Sequence, residues 1–148
     1  MCIRDRQKEA HLGRPAYAVM VLDINGLKAV NDHYGHDFGD MLIIDACKLL
    51  SQVFKRSPIF RIGGDEFVVL LEDYEYDHYE ALLKQLEEAI AQHNQAAPEH
   101  NQVSIARGIA FYDEATDLSF NDVFKRADEA MYQNKAQMKE RLDGKAPR

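Results

Sequence analysis

A chain of 148 residues, 46% apolar and 29% charged, is sized for one domain with one hydrophobic core, so a single functional centre is expected. A net charge of −7 argues against a nucleic-acid binder, which draws most of its affinity from cationic neutralisation of phosphates, but leaves room for a small phosphorylated ligand held by local cations. The longest apolar run, Tyr17 to Leu22, is too short for a bilayer, no secretory signal is visible, and Cys2 and Cys47 cannot build a disulfide framework; a cytoplasmic domain without membrane contact is expected.

Tyr17 to Leu22 ends at Asp23 and reads as a strand buried on both faces. After a glycine-containing lead-in, Leu42, Ile43, Ala46, Leu49, Leu50 and Val53 recur at helical spacing and predict a helix from Asp40 to Phe54, with Cys47 on its apolar stripe. Ile59 to Ile62 and Phe67 to Leu71 flank Gly63-Gly64-Asp65-Glu66, which predicts a hairpin whose glycines serve positive φ or close ligand approach. Tyr79, Leu82, Leu83, Leu86 and Ile90 mark a second amphipathic helix. Val103, Ile105, Ile109 and Phe111 alternate as a fourth strand, and a final helix is predicted from about Phe120 to Met138.

The order β-α-β-β-α-β-α predicts an α+β, ferredoxin-like sheet of the palm or nucleotide-cyclase kind, with helices packed on it and an extra C-terminal helix. In that topology the first two strands are parallel with the third between them, so Asp23 and the hairpin turn fall at one rim of the sheet and Asp65 should converge on Asp23. Carboxylates at the ends of adjacent strands, ~4.8 Å apart, suit Mg²⁺, which commonly bridges one or two carboxylates to substrate phosphates. Taken alone, Asp23 reads more readily as a turn carboxylate after a strand. Adjacent acids at Asp65 and Glu66 are not needed by a hairpin turn, and they favour a metal.

Arg61-Ile62-Gly63-Gly64-Asp65-Glu66-Phe67 resembles the signature turn of GGDEF-type diguanylate cyclases. Asp23-Ile24-Asn25-Gly26-Leu27-Lys28-Ala29-Val30-Asn31-Asp32, continued by Gly35-His36 and Gly39-Asp40, resembles the metal- and guanine-binding segment of that family. Ala127-Asp128-Glu129-Ala130-Met131-Tyr132, with Lys135 and Lys139, resembles its final helix. The resemblance implies condensation of two GTP into cyclic di-GMP and two pyrophosphates by a homodimer in which each domain presents one GTP.

It also implies roles. Asp23, the Ile24 carbonyl and Asp65 would hold Mg²⁺, with Mn²⁺ an alternative, and Asp65 and Lys28 would be the catalytic groups. Gly26, Leu27, Lys28 and Gly64 would approach the substrate, the amides from Gly26 to Lys28 cradling terminal phosphates while Lys135 and Lys139 add positive charge. Asn31 and Asp40 would read the N1 and N2 edge of guanine, and His36 would order that region. Outside the motif the same residues have plainer readings: Asn31 a turn residue, Asp40 a helix N-terminal acid, Lys135 and Lys139 a solvated helix face.

The chain departs from the pattern at Asn25, where Asp is usual, at Met138-Lys139, where Gly-Arg is frequent, and at Phe54-Lys55-Arg56-Ser57, where many members carry an Arg-x-x-Asp product site. Residues 1–16 are expected to be a lead-in shortened relative to the family, 17–139 the cyclase domain and 140–148 a tail, from a longer protein whose upstream sensory region is missing. An alternative expectation is a weak or inactive domain that binds GTP as a regulatory or docking module.

Overall fold

The computed structural model describes residues 16–145. Strands β1 (Tyr17–Ile24), β2 (Ile59–Arg61), β3 (Glu66–Glu72) and β4 (Ile105–Phe111) form one sheet in the order β2-β3-β1-β4. β1 pairs antiparallel with β3, from Tyr17↔Glu72 to Asp23↔Glu66, and with β4, from Ala18↔Phe111 to Ile24↔Ile105. β2 is antiparallel to β3, so β1 and β2 run parallel with β3 between them. This is the ferredoxin-like order that the succession of elements predicts.

Every residue of β1 is buried, which explains why the strand is continuously apolar instead of alternating. Even-numbered residues Ala18, Met20, Leu22 and Ile24 join Val69 and Leu71 in a core closed by helices α2 (His36–Val53) and α4 (Tyr79–Ala96), through Leu42, Ala46, Leu50, Leu82 and Leu86. Odd-numbered Tyr17, Val19 and Val21 join Val68 and Leu70 beneath α5 (Phe120–Lys145), which contributes Val123, Ala127 and Met131.

One glycine fixes how deeply α5 sits. A Cβ on Gly108 of β4 would lie 2.1 Å from the Met131 nitrogen and 2.3 Å from the Ala127 oxygen, so the helix rests directly on the strand's backbone. Whatever α5 carries one turn further, Lys135 included, is thereby held at a set height over the sheet.

The structure adds elements that periodicity left unmarked. Helix α1 (Leu27–Tyr34) occupies the predicted lead-in; Leu27 is its one buried residue, and half-buried Val30 packs against the core beside it. Gly35, at φ 97°, separates it from α2, which begins at His36 and not at Asp40. A five-residue helix α3 (Asp73–Asp77) follows β3. Val103, predicted to open the fourth strand, lies before it: its N–H donates to Asn94 Oδ1 at 2.7 Å and its carbonyl accepts from Asn94 Nδ2 at 2.9 Å. A side chain thus does there what a neighbouring strand would do. The final helix runs beyond Met138 to Lys145. Expectations for residues 1–15 and 146–148 lie outside the described residues.

Candidate active site

Asp23 and Asp65 meet at one rim of the sheet because β1 ends where the β2-β3 hairpin turns. The Ile24 N–H donates to the Asp65 carbonyl at 2.9 Å, tying the end of β1 to the turn by backbone. Asp23 is buried, 5% exposed. Its Oδ2 accepts from Lys135 Nζ at 3.0 Å, while its Oδ1 is buried with no hydrogen-bond partner. Burial raises the Asp23 pKa, the Lys135 bond works against that, and the nearby Asp65 carboxylate adds to the rise. Partial burial works to lower the Lys135 pKa, but its bond to Asp23 and the field of Asp65 raise it on balance.

Two more acids belong to this rim, and the motif reading gave neither a role. Glu66 stands opposite Asp23 in the β1-β3 register, and directly opposed residues of an antiparallel pair share a face. That face is the one covered by α5, which presents Asp128 to Glu66. Burial, a hydrogen bond with Asp128 and the charges of Asp128, Asp23 and Asp65 push Glu66 up to about 7. Asp128 Oδ1 is itself buried and unpartnered. The signal for Glu66 was present in the sequence, since alternation along β3 puts it on Asp23's face; Asp128 stands i−7 from Lys135, on the same side of the final helix.

The hairpin turn is gripped by Arg61, whose Nε donates to the Gly63 carbonyl at 3.1 Å and whose Nη2 donates to the Gly64 carbonyl at 2.9 Å. Of the two reasons expected for the paired glycines, positive φ does not apply: among the described residues only Gly26, Gly35 and Asp73 take it. A Cβ on Gly64 would meet nothing within 4 Å, and one on Gly63 only Glu66 Cβ at 3.7 Å. Neither backbone strain nor packing requires glycine there, which leaves open space outside the turn for a ligand.

Beyond Asp23 the chain turns at Gly26, φ 76°, into α1. That helix has no side-chain cap and no acid in its first turn, so its leading amides, which have no intrahelical acceptors, remain suited to an anion. Lys28 is exposed on this turn and Leu27 is buried beneath it. Asn31 lies inside α1 and not in a turn, and Asp40 lies one turn into α2 and not at its N-terminus; both plainer readings of these residues are thereby corrected. The two residues sit together: a Cβ on Gly39 would fall 1.7 Å from Asn31 Oδ1, so the α2 backbone lies against the Asn31 amide. Asp40 and His36 are exposed. On α5, Lys135 reaches Asp23, whereas Lys139 is exposed one turn further on.

The rim fits a divalent cation. A buried carboxylate oxygen without a partner is costly unless something from outside satisfies it, and Asp23 Oδ1 is such an atom beside a second carboxylate. Among the described residues no three His, Cys, Asp or Glu side chains form a metal cage. Mg²⁺ does not demand one, because it usually completes its shell with phosphates and water.

Fold and rim together define an α+β domain that gathers acids at the end of its central strand, beside an uncapped helix terminus. The family model "Diguanylate cyclase, GGDEF domain" matches residues 3–141. The chain belongs to the GGDEF domain family. It is 37% identical over 122 residues to the bifunctional diguanylate cyclase/cyclic di-GMP phosphodiesterase MucR of Pseudomonas aeruginosa, covering 82% of this chain and 18% of that protein. It is 30% identical over 132 residues to the probable diguanylate cyclase DgcT of Escherichia coli, covering 86% and 29%. The chain thus spans less than a third of the length of either relative. Among solved structures, the active GGEEF domain of a diguanylate cyclase from Vibrio cholerae superposes with a TM-score of 0.78 at 27% identity, covering 90% of this chain and 85% of that one. No described helix is long and apolar enough to cross a membrane.

Proposed function

We propose that this domain is a diguanylate cyclase. Each of two facing copies holds one GTP; each 3′-oxygen attacks the α-phosphorus of the other nucleotide, the bond to the β-phosphate breaks, and cyclic di-GMP and two pyrophosphates result. The observation that carries the reading is the buried, unpartnered Asp23 Oδ1 beside Asp65, in a chain of the GGDEF family.

Asp23, the Ile24 carbonyl and Asp65 would hold Mg²⁺ or Mn²⁺, which when bound lowers the pKa of the attacking hydroxyl and neutralises charge on the leaving oxygen. Asp65, on an open turn, would accept the hydroxyl proton. The amides of Gly26, Leu27 and Lys28 receive the terminal phosphates, and Lys28, Lys135 and Lys139 offset their charge. Gly64 leaves room for the nucleotide over the turn. Asn31 and Asp40 would accept from the N1 and N2 donors of the guanine edge that adenine lacks, and His36 would order that region.

Incubating purified protein with GTP and Mg²⁺ should give cyclic di-GMP, or the linear dinucleotide on the way to it, by liquid chromatography. Neither product, even from artificially dimerised protein, would contradict the assignment. One observation favours a second reading, a domain that binds GTP without turnover and docks a partner: Lys135 already supplies Asp23 with a cation. Tight GTP binding by calorimetry with no chemistry would select it.

A further inference from the structure

We infer that Asn25, Ser104 and Met138 form a clasp that positions the phosphate-facing turn, with Asn25 as its central positioning residue. The inference rests on the cyclase reading for the identity of the ligand, a nucleoside triphosphate. Its geometry is independent of the acids at the rim.

Asn25 is the last residue before Gly26, whose φ of 76° swings the chain into α1. It is tied down three times. Its backbone N–H donates to the Ser104 carbonyl at 2.7 Å. Its side-chain Nδ2 donates to Ser104 Oγ at 3.0 Å and to Met138 Sδ at 3.5 Å, across 113 residues of sequence. Both hydrogens of one amide group are therefore used, one on the lead-in to β4 and one on α5. These contacts sit at the side of a cleft of about 260 Å³ lined by Ser104, Asn134, Met138 and Arg141.

The consequence is mechanical. The turn amides and the α5 lysines must lie at a matched spacing to share one triphosphate, yet they belong to elements far apart in the chain. Gly108 sets the height of α5, and the Asn25–Met138 hydrogen bond ties an α5 side chain to the residue that opens the turn. Carboxylate at position 25 would donate to neither partner and would bring another negative charge two residues from Asp23. Asn25 and Met138 are also two of the positions at which the sequence departs from the pattern it otherwise resembles, and here they touch.

The test is a double-mutant cycle of Asn25→Ala and Met138→Ala, read by calorimetric binding of Mg²⁺ with an α,β-methylene analogue of GTP and by initial rates with GTP. Asn25→Ala should weaken analogue binding and raise KM about threefold to tenfold, the worth of one or two neutral hydrogen bonds, with kcat within about twofold. The double variant should be no worse than Asn25→Ala alone. Asn25→Asp should not restore affinity. Variants that melt earlier but bind the analogue as the parent does, or penalties that simply add, would overturn the clasp. If the parent binds no analogue, the cyclase reading and the clasp fall together; if it binds but makes no product while Asn25→Ala binds less, the clasp stands and the cyclase reading falls.

Discussion

The sheet rim and the helical edge treat polar residues in opposite ways. At the rim Asp23 is buried on the central strand, flanked by paired strands on both sides and capped by α5. At the edge Asn31 is half-buried while His36 and Asp40 are exposed, on two short-linked helices resting against each other at Gly39. Strands fix a side chain by register; exposed helices fix it by little more than their own axis. On the proposed function, the chemistry that needs a charge held at one point falls to the rim, and the choice between bases to the edge.

The largest expected effect breaks the rim alone. Asp65→Ala should cut turnover by about a hundredfold or more, the scale of a lost general base or ligand, while the melting temperature stays near that of the parent, because a turn carboxylate contributes little to the core. Steady-state rates beside a thermal melt check both halves. A substitution at the edge should do something different: Asp40→Asn should lower the preference for GTP over ATP by about tenfold to a hundredfold, through loss of a charge-assisted hydrogen bond, with kcat on GTP less affected. Competition between the two nucleotides reads that ratio.

Moving the helix that caps the rim should separate the regions further. Gly108→Ala forces α5 off β4 and is expected to cost roughly 1–3 kcal/mol; in denaturant melts stability should fall, and the activity that survives should show a raised KM for GTP with the same choice between GTP and ATP.

The smallest effect is one of pH. Glu66 is raised from 4.5 to about 7, so the folded protein holds that proton more tightly than the unfolded chain does. Its stabilising contribution is complete below about pH 4.5 and is lost as pH rises through about 7. Metal-free protein should thus melt progressively earlier across that window, and Glu66→Gln should flatten the slope. A slope unchanged in the variant would remove Glu66 from that effect.

What the sequence made legible follows the same division. The meeting of Asp23 and Asp65 was readable because strand order dictates it once the hairpin and the buried first strand are recognised. Helix α1 was not, because eight residues between Gly26 and Gly35, with Leu27 and Val30 alone turned to the core, give a stripe too short to stand out from a loop. Glu66 was marked with Asp65 as an acid the turn does not need, and alternation along β3 implied its face, but not its pairing with Asp128. Helical spacing puts Asp128 on the side of Lys135, but what it and Met138 touch depends on the height of α5 over Gly108, a packing distance that no local pattern encodes.

The central claim is that Asp23 and Asp65 jointly hold one divalent cation beneath a nucleotide's phosphates. It is tested most directly by Mn²⁺ binding, followed by electron paramagnetic resonance with a non-hydrolysable GTP analogue present, in the parent protein and in Asp23→Asn and Asp65→Asn. The account predicts a bound-ion signal in the parent that either substitution abolishes, with analogue affinity falling alongside it. Undiminished Mn²⁺ binding in both variants would contradict it.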